Sequence, residues 1–172
     1  MNSPEVKEWK PSCEAEYDIL MGYHTWKLVK RPPNINIIGC RQTFRVKRDK
    51  LGAINKYKSR LVAQGFMQIK GLNYHETFSP TIRLILALAC RDNLELCHID
   101  IKGAYLNSKL KDDIYMCQPK GFITKGQEHL ICKLNKSIYG LKQSGHVWHQ
   151  TLKQGLEKLG FKAGEANTTV FF

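Results

Sequence analysis

Apolar positions recur with two different periods along this chain of 172 residues. Between 44 and 66, FRVKRDKLGAINKYKSRLVAQGF, two alternating runs flank DKLG, a turn signal. That pattern predicts a β-hairpin. LELCHIDI, 94–101, also alternates. Leu94, Leu96, His98 and Asp100 fall on one side, Glu95, Cys97, Ile99 and Ile101 on the other, which predicts a central strand. IRLILALA follows ETFSP, with Thr81 as the expected cap. It is apolar on nearly every side, and such a helix is expected to be buried. PSCEAEYDILMGYHTW, 11–26, predicts a short helix with Ser12 at its N-cap and Glu14 and Glu16 near the positive end of its dipole. RPPN, 31–34, ends it in a loop. GAYLNSKL predicts a short helix, and DDIYMCQP and HLICKL predict two strands. A last helix is expected from Ser144 to about Leu159. Trp148, Leu152, Leu156 and Leu159 share its face, and Gly160 stops it. TTVFF looks like the start of a further strand. Strands joined by both hairpins and helices make an α+β pattern, without the regular alternation of a doubly wound sheet.

Charge changes this picture more than composition does. Apolar residues make up 42% of the chain, ordinary for a folded domain, but the formal net charge is +12. An excess of that size suggests either a polyanionic partner, nucleic acid being the commonest, or a basic but otherwise ordinary soluble surface, and charge alone leaves the two about even. On the return strand of the predicted hairpin Lys56, Lys58 and Arg60 recur every second residue, on one face. They are either a solvated face that guards a sheet edge or a clamp for phosphate. Arg45, Lys47 and Arg48 on the outgoing strand favour phosphate. Six scattered cysteines form no C-x-x-C pair, and His146 and His149 lack further ligands at metal spacing. Both argue against a zinc site. With no signal peptide and no long apolar span in view, free thiols in a reducing compartment are expected, and no membrane partner. Asp100, set between two isoleucines, is a satisfied structural group, a cap or a metal ligand.

Three blocks appear in order: YKSRLVAQGFMQIKGLNYHETFSP (57–80), HIDIKGAYLNSKLKDDIYMCQPKGF (98–122) and ICKLNKSIYGLKQSGHVWH (131–149). Together they resemble the reverse transcriptase region of Ty1/copia-type retrotransposon Pol polyproteins, from about Trp9 to Phe172. The resemblance implies the fingers and part of the palm of a right-hand polymerase. Residues 1–172 would be one domain fragment, about 9–90 fingers-like and 91–172 partial palm. It implies that Asp100 is the first catalytic aspartate, holding Mg²⁺ together with the backbone carbonyl of Ile101. Two such cations would activate the primer hydroxyl and stabilise the leaving pyrophosphate. The isoleucines on either side would be buried and would fix the carboxylate. Tyr105 becomes a candidate gate against the 2′-hydroxyl, although its residue type alone favours a core aromatic. Lys58, Arg60 and Gln143 would contact the incoming nucleotide, with Gly140 in the same block. Lys56, Arg45 and Lys47 would contact nucleic acid. The implied partners are an RNA template, a DNA primer, a deoxynucleoside triphosphate and the remainder of a Pol polyprotein.

The sequence also departs from that pattern. The family's second metal-binding block, Tyr-x-Asp-Asp, is absent from these residues, as are thumb and RNase H parts. Asp112–Asp113 is read as surface charge. The stretch from Pro80 to Leu86 is several residues short, which would disturb the approach of the helix to the palm. Gln42, Ser108, His146 and Asn167 stand where the family usually has Trp, Gly, Arg and Asp. With one carboxylate, weak or absent magnesium binding and no activity of the chain by itself are expected. The alternatives are a domesticated nucleic-acid-binding remnant without catalysis, or an unstable pseudogene product. An intracellular site, cytoplasmic or nuclear, is left open.

Overall fold

The computed structural model describes residues 5–68, 80–165 and 167–172. Residues 69–79, which carry much of the 57–80 block, lie outside that set. The described chain is mixed α/β. Helix α1 runs Val6–Gly22, followed by strands β1 (Trp26–Val29), β2 (Ile37–Ile38), β3 (Cys40–Arg48) and β4 (Ile54–Ala63). Helix α2 is Pro80–Arg91, β5 is Tyr115–Met116, β6 is Ile131–Leu134, and helix α3 is Ser144–Lys158. Short 3₁₀ turns occupy Gly65–Met67 and Ala104–Asn107. No helix among the described residues is long and apolar enough to cross a membrane.

The hairpin forms as its alternation predicts. β3 and β4 pair antiparallel from Cys40 opposite Ala63 out to Lys47 opposite Lys56. Asp49 closes the turn, its carboxylate accepting from the amides of Leu51 (2.9 Å) and Ala53 (3.0 Å). Gly52 takes a φ of +85°, a conformation that suits a residue without Cβ. Helix α1 lies against β4. The Ser12 hydroxyl accepts from the Ser59 amide at 2.8 Å, and Glu16 accepts from the Leu61 amide at 3.4 Å. These side chains satisfy backbone donors that β3 does not take, so the edge is covered. Trp9 packs edge-on against Phe44 and Tyr57, at 5.0 and 4.7 Å between ring centres.

That packing moves the start of the helix. Ser12 was expected at its N-cap, yet α1 begins at Val6 and carries Pro11 inside. The turn bearing Trp9 is held by its aromatic contacts, and Ser12 is free to serve the hairpin instead of its own helix.

A second sheet has the order β1-β6-β5-β2. β1 pairs antiparallel with β6, Trp26 opposite Leu134, and β6 antiparallel with β5. β5 pairs parallel with β2. Its inner side and the hairpin base enclose one core, which includes Leu20, Ile38, Leu61, Met116, Leu134 and Ile138. Burial of such side chains stabilises the fold by about 1.5–3 kcal/mol each.

Three expectations fail together. The apolar helix α2 was expected to be buried, but Leu84, Ile85, Leu86 and Leu88 are exposed, Leu84 at 60%. Thr81 was expected as its cap and instead lies inside a helix that starts at Pro80. The helix stops where Asn93 turns to a φ of +50° and the Leu94 amide donates to the Ala89 carbonyl. Residues 94–101, expected as a central strand, carry no strand and are exposed throughout. A strand needs a neighbour for its backbone donors and acceptors. No described strand lies beside this segment, so alternation alone does not make one. The other late elements agree better. α3 spans nearly the expected range, and Gly160, at a φ of +94°, ends it. The terminal TTVFF contributes only a bridge, Phe171 opposite Ala163.

Candidate nucleic-acid interface

The hairpin register sorts its side chains. Arg41, Thr43, Arg45 and Lys47 stand opposite Val62, Arg60, Lys58 and Lys56. All of these project from one face, because alternate residues of a strand point the same way. The other face carries Cys40, Gln42, Phe44 and Val46 with Ala63, Leu61, Ser59 and Tyr57, the side that meets α1. Arg48, beyond an irregularity in the register, leaves the cationic row. Lys47 faces Lys56 directly, and Arg45 faces Lys58. Like charges placed opposite one another cost stability. At Lys58 burial lowers the pKa most, and the neighbouring charges of Arg60 and Lys47 lower it further, with Glu16 opposing. An anion over this face would relieve the repulsion.

The base of the hairpin is fastened to a second part of the chain. Arg60 stacks its guanidinium on the Tyr139 ring at 4.8 Å, and Tyr139 meets Tyr105 edge-on at 4.9 Å. The Ala63 amide donates to the Tyr139 carbonyl at 2.8 Å. Gly140 has a φ of +93°, and a Cβ there would meet the Ala63 carbonyl oxygen and the Val62 side chain. Only glycine allows this approach. Next in the chain, Gln143 is 4% exposed. Its carbonyl accepts from Gln68 at 2.9 Å and its amide donates to Asp112 at 3.3 Å. Gln68 also accepts from the Lys142 amide and, through its main-chain carbonyl, from the Lys142 ammonium, both at 2.9 Å. Ser144 locks the turn by donating to the Ile138 carbonyl at 2.6 Å.

Arg60, Tyr105 and Gln143 therefore share one region with the cationic row of Arg45, Lys47, Lys56 and Lys58. Tyr105 is half-buried against Tyr139, the contact of a packed aromatic. Sequence reasoning missed Tyr139, Gln68 and Lys142. The pattern YGLKQ contained Tyr139 and Lys142, but nothing local tells which of its residues touch the hairpin.

Asp100 is not part of this assembly. It is exposed, in the irregular segment after α2, and makes no hydrogen bond or ion pair with a described residue. Its flanking isoleucines, expected to be buried, are 76% (Ile99) and 41% (Ile101) exposed. Among the described residues nothing buries them. Among the described residues no group of three His, Cys, Asp or Glu side chains could hold a metal ion. The residues present here do not fit the magnesium pair that the resemblance implied. Asp113 is engaged elsewhere, in an ion pair with Lys133 at 2.7 Å.

Residues 23–172 match the family profile described as reverse transcriptase (RNA-dependent DNA polymerase). The chain is 40% identical over 171 residues to the retrovirus-related Pol polyprotein from transposon RE1 of Arabidopsis thaliana, covering 96% of this chain and 12% of the relative. It is 36% identical over 177 residues to the corresponding polyprotein from transposon TNT 1-94 of Nicotiana tabacum, covering 100% of this chain and 13% of the relative. The truncated transposon Ty1-A Gag-Pol polyprotein of Saccharomyces cerevisiae is 30% identical over 167 residues, covering 90% of this chain and 13% of the relative. The chain thus spans about an eighth of the length of the curated relatives it matches. No solved structure matches.

Proposed function

Since the chain belongs to the reverse transcriptase (RNA-dependent DNA polymerase) family and is similar to that region of copia-type Pol polyproteins, we propose that it supplies the fingers and part of the palm of such a polymerase. Its task within a longer polyprotein is to grip an RNA template, a DNA primer and the incoming deoxynucleoside triphosphate. Residues 9–90 act as the fingers-like part and 91–172 as the partial palm. The observation that carries the reading is the cationic hairpin face, joined through Arg60 to Tyr139 and Tyr105. Lys56, Arg45 and Lys47 meet backbone phosphates, while Lys58 and Arg60 meet the triphosphate. Gln143 and Tyr105 border the nucleotide. Asp100 and the Ile101 carbonyl would hold magnesium only in an assembly that brings further carboxylates to them. By itself the chain binds nucleic acid without extending a primer.

The test is binding of an RNA template annealed to a DNA primer, followed across a salt titration. Neutralising phosphates releases counterions, so affinity falls with salt in proportion to the contacts made. Replacing Lys56, Lys58 and Arg60 by alanine should reduce the log–log salt slope by about two to three. An unchanged slope would remove the hairpin from the interface. A parallel primer-extension assay with magnesium separates the remaining readings. Extension abolished by Asp100→Asn would show that the chain polymerises unaided. Binding without extension supports a gripping part, and the exposed setting of Asp100 favours that outcome.

A further inference from the structure

A cavity of about 320 Å³ opens at the end of the four-stranded sheet, lined by His24, residues 109–113 and residues 133–136 and by none of the hairpin residues. Lysines 109, 111, 133 and 136 line it together with Asp112 and Asp113. Lys133 is spoken for: its ammonium donates to the Asp113 carboxylate at 2.7 Å, and that bond holds its pKa above the usual value. Asp112 accepts from Gln143. Lys109, Lys111 and Lys136 have no ion-pair partner among the described residues. Lys109 and Lys136 are cross-strand partners in an isolated antiparallel bridge, so their side chains leave from the same side. Such a pairing is unfavourable unless an anion lies between the ammonium groups. The wall is fixed in place by the Leu110 amide on the Asn135 carbonyl (3.1 Å) and the Leu134 amide on the Ile114 carbonyl (2.9 Å).

We infer that this cavity is a second phosphate-binding site, built from Lys109, Lys111 and Lys136. Ammonium groups are strongly hydrated point charges with several donors each, suited to phosphate oxygens approached from different directions. Three around one concave site match a phosphodiester stretch or a short polyphosphate. Asp112 touches Gln143, so the cavity rim adjoins the block fastened to the hairpin. The site uses none of the hairpin lysines, and its fate is separable from that of the hairpin.

The experiment compares the full chain with a Lys109→Gln, Lys111→Gln, Lys136→Gln variant, and with a Lys56→Gln, Lys58→Gln, Arg60→Gln variant. The probes are a single-stranded RNA oligonucleotide and inorganic tripolyphosphate. The cavity variant should melt no lower than the parent, because it loses an unfavourable pairing. Its log–log salt slope for RNA should fall by about two, at roughly 0.7 per single-strand phosphate. Tripolyphosphate displacing RNA from the parent but not from the cavity variant would mark the ligand as a short polyphosphate. RNA binding weakened in the cavity variant without such displacement would mark it as phosphodiester. Equal affinity and slope for both probes in parent and cavity variant would overturn the inference. A hairpin variant that binds like the parent, beside a weakened cavity variant, would overturn the hairpin reading and leave this one standing.

Discussion

Ser108 shows how one atom can carry a cost. It is fully buried, and its hydroxyl finds no partner among the described residues. An unsatisfied buried polar group costs about 1–3 kcal/mol. Ser108→Ala should therefore stabilise the chain by about 1 kcal/mol, read as a higher urea midpoint at unchanged slope. Glu16 carries a cost of another kind. Burial raises its pKa above 4.5, although the Leu61 amide and the charges of Arg60 and Lys58 pull it down. The folded state thus holds this proton more tightly than the unfolded state does. Stability must then fall as pH rises from 4.5 through the folded-state value, where the carboxylate ionises. Denaturation from about pH 4 to about pH 7 should show that decline in the parent and a flatter curve in Glu16→Gln. A curve of the same shape in both would place the titration elsewhere.

At the scale of elements, the legible parts were those whose partners are close in sequence. The hairpin announced itself through alternation, a turn residue and a charge stripe, because both strands and their connection lie within 40–63. α3 was equally plain, with its face and its stop at Gly160. β1 and β2 went unread: the helix expected over 11–26 runs onto Trp26, where β1 begins, and the two residues of β2 follow a stretch read only as a loop. α2 and residues 94–101 had the strongest apolar signals and the least protection. Composition can ask for burial, but another surface must supply it. The shortened stretch at Pro80–Leu86, expected to disturb the helix's approach, falls in the first half of this exposed helix. Its exposure has a direct consequence for mutants. Leu84→Lys should change stability by no more than about 0.5 kcal/mol, whereas Leu134→Ala, in the core at 3% exposure, should cost about 2–5 kcal/mol. Urea unfolding of the two variants checks both, and a large loss in Leu84→Lys would mean the helix is packed in solution.

For the whole molecule, the net charge raises the expectation of a polyanion partner, and the hairpin shows where part of the +12 is concentrated. The candidate site was legible residue by residue at Lys56, Lys58 and Arg60, because period two is visible in a string of letters. Its closure by Tyr139, Gln68 and Lys142 was not, because Gln68 meets Gln143 across 75 positions. Asp100 illustrates the converse: a motif can be present while the surroundings that would give it chemistry are not assembled around it. The sheet order adds something about how the chain comes together. β1 near residue 26 finds its ladder partner only at residues 131–134. During synthesis α1 and the hairpin can settle early, while β1 must wait until more than a hundred further residues have been made. Such a long loop closure is slow, and in the interval β1 offers an open edge to any other strand nearby. Ribosome-bound chains ending before residue 131 should therefore be the species that most need a chaperone.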